Sequence, residues 1–519
     1  MRWTRAALLA STLSVLVTTA CGAGPSNRPA VAVDQPHQAG AEVSTAPADA
    51  VPPAPEVPKV ELNWRDCTVP TFNLLSLGAP PQGLVLECAE YPAQKDVAAT
   101  VPGNFKNSAI RARYDRTPKD AAPLILTSGN DRSSTATLAG LAAGNASALL
   151  AVRPIIAVDR RGIGSSVPIT CMTDQQRRII ADQGQFTRGG NDPVDAMSGL
   201  GREAAVACLD FLAPEQGVWD APHAADDIEQ LRKQLQVDHL ALMGTGTGAN
   251  VALNYARKYG QHLGRLVLDS PQAVGLDANG RAEQRVKGQE AALTAYAQRC
   301  ASLKCSLGAD PRAAVIDLVN RAGAGQFGEL SASALVTTLT GFLGDSRTQG
   351  NPQITEFADA LSALGRGDRA PLTPFVLRAA AIATDGEFVN RCSDNHEPST
   401  PVKAKELETA WATQYPIFGK VAAIDLMTCS SWPAAAPLAR PEKLELPVLV
   451  LGGSADPVVG QDGRPTVTGA LTNAGARPAT VVWQGWGHPA FAHSGCAQQA
   501  LTDYLKSAKL PADGTACPA

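Results

Sequence analysis

The sequence predicts an α/β fold with a mostly parallel central sheet, helices on both faces and an inserted helical cap. Three observations carry this. Short runs rich in Val, Ile and Leu, bounded by glycines or polar turns, recur along the chain and read as buried parallel strands. Helical stretches separate them. The alternation then lapses between about 272 and 441, where several helices follow one another with no strand between them.

In chain order, Arg2 and Arg5 precede an apolar run from Ala6 to Val17, broken only by Ser11, Thr12 and Ser14, and then come Thr18, Thr19, Ala20 and Cys21. A basic start, a short apolar stretch and small residues at a cleavage site make residues 1–20 a secretory signal, not a spanning helix. A cysteine at the cleavage point is the pattern of a bacterial lipoprotein, with Cys21 as its first, lipid-bearing residue, although Thr18 stands where Leu is usual. Simple secretion, with Cys21 a bystander, is the alternative. Acyl chains on Cys21 would hold the protein to a membrane, each buried methylene contributing about 0.8 kcal/mol. Residues 21–58, rich in Ala, Pro and Val, read as a flexible tether spanning roughly 35 Å root-mean-square as a coil.

Residues 59–271 form the first part of the core, with strands predicted at 123–126, 154–158, 240–243 and 266–268 and helices at 224–235 and 249–259. Residues 272–441 form the cap, with helices at 282–299, 311–321, 356–364 and 373–384. Residues 442–519 return to the core with strands at 447–451 and 480–483. An α/β core interrupted this way has the plan of a capped hydrolase.

Composition narrows the function. The chain has 519 residues, 45 Lys plus Arg against 49 Asp plus Glu, and a net charge of −4, which argues against a nucleic-acid binder with a broadly basic face. Its 45% hydrophobic and 18% charged residues describe a globular protein, not a disordered one. Besides Cys21 there are ten cysteines: Cys67, Cys88, Cys171, Cys208, Cys300, Cys305, Cys392, Cys429, Cys496 and Cys517. An even set in an exported chain reads as disulfides, and the spacing shows neither CxxC pairs nor His–Cys clusters of a zinc site, so no metal and no cofactor is expected. Sequence does not fix connectivity. Pairing each cysteine with its neighbour gives 67–88, 171–208, 300–305, 392–429 and 496–517.

The run Leu240-Ala241-Leu242-Met243-Gly244-Thr245-Gly246-Thr247-Gly248 takes a strand through a glycine-spaced turn into a helix. In α/β-hydrolases this place holds G-x-S-x-G, the sharp turn that exposes a nucleophilic serine. Gly244 and Gly248 frame the turn, but Gly246 stands where the serine belongs. A phosphate-binding loop is a weaker reading, because no Lys-Ser/Thr follows. Upstream, Asp159-Arg160-Arg161-Gly162-Ile163-Gly164-Ser165-Ser166 matches D-x-R-G-x-G-x-S after a buried strand. Downstream, Asp456 and His488 each stand just past a buried strand, giving the order nucleophile, acid, base of these enzymes. Singly, Asp456 is a turn-capping carboxylate and His488 a loop histidine. Together they are the candidate acid–base pair.

With these residues in place the chain resembles the tripeptidyl aminopeptidase-like branch of the proline iminopeptidase family, exported actinobacterial α/β-hydrolases. The likeness runs from about Trp64 to Cys517 and includes Cys67, the stretch Ala225 to Arg232, Asp269, Cys392 to Asp394 and Cys429 to Trp432. The resemblance implies release of short peptides from free amino ends through an acyl-enzyme on serine. Relatives carry N-P-G-G-P-G-G-S after the first core strand, whose backbone N–H groups help hold the oxyanion. This chain reads Thr127-Ser128-Gly129-Asn130-Asp131-Arg132-Ser133-Ser134, keeping only Gly129 and Ser134 of that pattern. Gly129, Asn130 and Thr247 are the oxyanion-loop positions. With the hydroxyl and the loop both altered, acyl transfer is not expected.

Three classes of function stay open. The first is a pseudoenzyme whose cleft under the cap binds a peptide or other small ligand. The second is an active hydrolase with a substitute nucleophile such as Thr245, Ser134 or an activated water. The third is an envelope scaffold. All three place the protein outside the cytoplasm, at the outer face of the membrane or secreted.

Overall fold

The strands at the centre of the sheet are apolar on both sides because helices cover both faces. The computed structural model describes residues 51–130, 132–144, 147–437, 440–460 and 462–519. The predicted signal, Cys21, most of the tether and Asp131 lie outside the described residues.

Ten strands form one sheet: β1 (Arg65–Asp66), β2 (Leu84–Gln94), β3 (Asn104–Tyr114), β4 (Leu124–Thr127), β5 (Ile155–Val158), β6 (Leu240–Thr245), β7 (Leu263–Asp269), β8 (Pro447–Ala455), β9 (Arg477–Trp486) and β10 (Thr515–Cys517). Their spatial order is β1-β2-β3-β5-β4-β6-β7-β8-β9-β10. From β5 to β10 all neighbours are parallel, while β1, β2 and β3 add antiparallel pairs at one edge. This is an α/β-hydrolase fold. In β6 the alternation is plain: Leu240 and Leu242 enter the apolar layer on one face, Ala241 and Met243 the layer on the other. The helices Ala221–Gln234 and Gly248–Tyr259 supply the first layer, and Ser134–Ala143 and Gly495–Ser507 the second.

The cap rises between β7 and β8 as helices from Ala278–Ser302 to Gly419–Asp425. Its own apolar cluster centres on Tyr296, Phe342 and Phe357, the last two stacked at 3.9 Å, and reaches Ala455 at the end of β8. The expected helix at 373–384 ends at Ala380, because Thr384 instead caps the next helix by accepting the backbone N–H of Glu387.

Two expected boundaries move. Helices Asp174–Ala181 and Pro193–Leu212 fall within the stretch 59–271 assigned to the core, yet they build on the cap. Val194 and Met197 share a buried cluster with Ala404, Ile424 and Met427. The tether, expected to run to 58, meets the body earlier. Arg265 donates to the Pro53 carbonyl at 3.1 Å, and the Glu56 and Lys59 N–H groups bond to the carbonyls of His239 and Leu235, each at 3.0 Å. Backbone pairing, which composition does not report, fixes this stretch.

The five disulfides join Cys67–Cys88, Cys171–Cys208, Cys300–Cys305, Cys392–Cys429 and Cys496–Cys517. The Cys392–Cys429 bond ties the helix Asp385–Ser393 to the chain just after the last cap helix.

Candidate active site

The site gathers at the carboxyl ends of β4, β6, β8 and β9, where a doubly covered parallel sheet leaves its loops free to converge. At the end of β6 the chain turns through Gly246 at φ +58°, the left-handed conformation that a nucleophile elbow needs and that glycine adopts without strain. Its N–H donates to the Asp269 carbonyl at 3.0 Å, and its carbonyl accepts from Gln272 at 3.3 Å. The turn is therefore built as an elbow, without a side chain at its tip.

After β8, Asp456 is held by the N–H groups of Val458 and Val459, which donate to its Oδ1 at 2.8 and 3.0 Å. Its Oδ2 accepts from His488 Nδ1 at 2.8 Å, and both side chains are 1% exposed. That bond fixes the imidazole tautomer, with the proton on Nδ1, the arrangement a catalytic base requires.

Asp269 joins the two halves of the site. Its backbone carbonyl holds Gly246, while its carboxylate accepts from the N–H groups of Ala490 (3.0 Å) and Phe491 (2.7 Å), which open the short helix Ala490–His493 after His488. Burial pushes the Asp269 carboxyl up to about 6, partly offset by these donors and by the Ser270 hydroxyl. Sequence reasoning noted Asp269 only as part of a family likeness; a carboxylate directly after a buried strand was the signal of its role.

The oxyanion-loop positions meet at the elbow, but not as an open pair of donors. Gly129 (φ +75°) lies so close to the elbow helix that a Cβ there would stand 2.3 Å from both the Gly248 nitrogen and Thr247 Oγ1. The next N–H, that of Asn130, donates to Thr247 Oγ1 at 3.0 Å, and the Thr247 hydroxyl donates to Asn130 Oδ1 at 2.9 Å. A donor that would face an oxyanion is thus engaged by a side chain of the elbow itself. The other hydroxyl candidates are walled in. Thr245, 1% exposed, donates to Ser128 Oγ at 3.1 Å, and Ser134, fully buried, accepts the Ser128 N–H at 2.9 Å.

The Asp159–Ser166 loop is a scaffold. Asp159 accepts from the N–H groups of Thr135 and Ser165, both at 2.9 Å, and Arg161 forms a buried two-pronged pair with Asp227 at 2.8 and 2.9 Å. Arg160 reaches Asp394 at the end of a cap helix, fastening cap to core.

A cavity of about 590 Å³ lies under the cap. Asn130, Thr247 and Asn250 line its floor at the elbow, and Val458 and Val459 come from the loop that holds Asp456.

Residues 139–318 match the family described as alpha/beta hydrolase fold, and residues 415–517 match the family described as TAP-like protein. The tripeptidyl aminopeptidases of Streptomyces lividans and Streptomyces coelicolor are each 28% identical over 115 residues, 22% of this chain. The matched stretch spans only 21% of the length of those relatives. Among solved structures, esterase E22 aligns at 13% identity and TM-score 0.41, over 81% of this chain and 100% of its own. The proline iminopeptidase of Mycobacterium smegmatis aligns at 15% identity and TM-score 0.37, over 80% and 98%.

Proposed function

We propose that this chain, a TAP-like α/β hydrolase, binds a ligand in the cleft under its cap without turning it over. The observation that carries this reading is the elbow itself. Gly246 keeps the left-handed backbone of a nucleophile position, with Asp456 and His488 paired at 2.8 Å, yet offers no oxygen to attack or to deprotonate. The engagement of the Asn130 N–H by Thr247 supports the same conclusion, since loss of one oxyanion donor raises the barrier by about 3–4 kcal/mol. The buried Asp456–His488 pair persists because each group satisfies the other's polar atoms. Lipid on Cys21 would hold the molecule at the outer face of the cell envelope.

The second reading, an active hydrolase, rests on Thr247, which sits at the elbow and lines the cavity. One experiment separates the two. The wild type is expected to show no labelling by a fluorophosphonate and no cleavage of amino-terminal tripeptide substrates. Robust cleavage that disappears in His488→Ala overturns the binding reading, and its loss in Thr247→Val assigns the nucleophile.

A further inference from the structure

The walls of the cavity carry a charge that a peptidase for free amino ends would not choose. Six arginines line it: Arg132, Arg177, Arg178, Arg281, Arg285 and Arg391. Three carboxylates share the wall, Glu387, Asp394 and Asp425. Each of the three is already paired. Asp425 serves both Arg285 (3.2 Å) and Arg391 (3.1 Å), Glu387 pairs with Arg391 at 3.2 Å, and Asp394 pairs with Arg160 behind the wall. Arg177 is paired with Asp385 at 2.9 Å.

Arg132, Arg178 and Arg281 have no carboxylate within ion-pair distance among the described residues. Arg132 donates to the Gly344 carbonyl at 3.4 Å. Arg281 donates to the Leu276 carbonyl and to Asn395 Oδ1, at 2.7 and 3.0 Å, all uncharged partners. Burial pushes the Arg281 guanidinium down, partly offset by the more distant carboxylates of Asp277, Asp394 and Glu397. The amino end of the twelve-residue helix Gly248–Tyr259 also opens here through Thr247 and Asn250, adding partial positive charge. The rest of the lining is largely apolar, including Val336, Val376, Phe388 and Phe418.

We infer that the cavity takes an anionic ligand, a carboxylate- or phosphate-bearing molecule with an apolar body, and disfavours a free amino end. Guanidinium forks bind either anion in two-pronged fashion, and the volume suits one small molecule. The inference rests on the reading that the cleft binds a ligand at all.

Thermal shift of the full mature protein with three probes tests it. N-acetyl-alanyl-alanyl-phenylalanine carries a carboxylate and no free amine. Alanyl-alanyl-phenylalanine amide carries a free amine and no carboxylate. Octyl phosphate supplies the other anion. The acetylated acid, octyl phosphate or both should raise the melting temperature, identifying the anion taken, and the amide should not. Loss of Arg281 from the packed wall can unfold the protein, so half-buried Arg132 is the deciding position. Arg132→Gln should weaken anion binding about ten-fold, the effect of losing one charge-assisted contact. Equal or greater stabilisation by the amide overturns the anion inference while leaving the cleft reading intact. No shift with any probe overturns both. Binding of an anion unchanged by Arg132→Gln removes the arginine assignment.

Discussion

If Thr247 is what occupies the oxyanion position, removing it should matter only once a nucleophile is present. Gly246→Ser supplies the hydroxyl at a backbone already shaped for it, at a conformational cost of about 1–2 kcal/mol for a side chain at φ +58°. In that single variant the Asn130 N–H remains engaged by Thr247 Oγ1 at 3.0 Å. Labelling should therefore be slight. Adding Thr247→Ala removes the oxygen that accepts this N–H and also the donor to Asn130 Oδ1. One recovered oxyanion donor is worth about 10²–10³ in rate. Gly246→Ser with Thr247→Ala should thus react with a fluorophosphonate about two orders of magnitude faster than Gly246→Ser alone. Thr247→Ala in the wild-type background should do nothing, the non-additive pattern of groups acting as a unit. The assay is the time course of covalent labelling followed by intact mass, with His488→Ala added to the double variant as control. Equal rates for the single and double variants would refute the assignment of Asn130 as the engaged donor.

Other outcomes follow from the same geometry. Gly129→Ala should destabilise the protein by about 2–5 kcal/mol, combining left-handed strain with overpacking against backbone, and a denaturation midpoint equal to wild type would contradict it. The Asp269 carboxyl is raised to about 6, so the folded state holds its proton more tightly than the unfolded chain does. Its contribution is then complete below about pH 4 and is lost as pH rises through about 6, a change on the order of 3 kcal/mol. A stability profile against pH should lose that fall in Asp269→Asn; an identical profile counts against the assignment. Cys21→Ser should release the mature protein into the medium, and partitioning with membranes like the parent would exclude a lipid anchor.

The core strands were legible because both of their faces are buried, which leaves short unbroken apolar runs. β2 and β3 were not. Each pairs over eleven residues, but Glu87, Glu90 and Pro92 interrupt β2, whose burial alternates because one side is only partly covered. The cap helix Ala332–Gly344 was missed for another reason: its Thr and Gly content gives weak helix propensity, and packing of Leu335, Leu339 and Phe342 overrides it. Gly246 could be picked out by its glycine-spaced turn, and Asp456 and His488 only as a pair, because each follows a buried strand in the order acid, base. The arginine wall could not. Arg132, Arg177, Arg281 and Arg391 come from four separate segments, and only the seating of the cap over the sheet brings them round one cavity.

The contacts of Pro53, Glu56 and Lys59 give the molecule a top and a bottom. They grip Leu235, His239 and Arg265, which precede or open β6 and β7, whereas the elbow and cavity lie past the opposite ends of those strands. Six residues of β6 therefore stand between the two, about 20 Å of extended backbone. Tension on the amino end would load the underside of the sheet and bypass the cap.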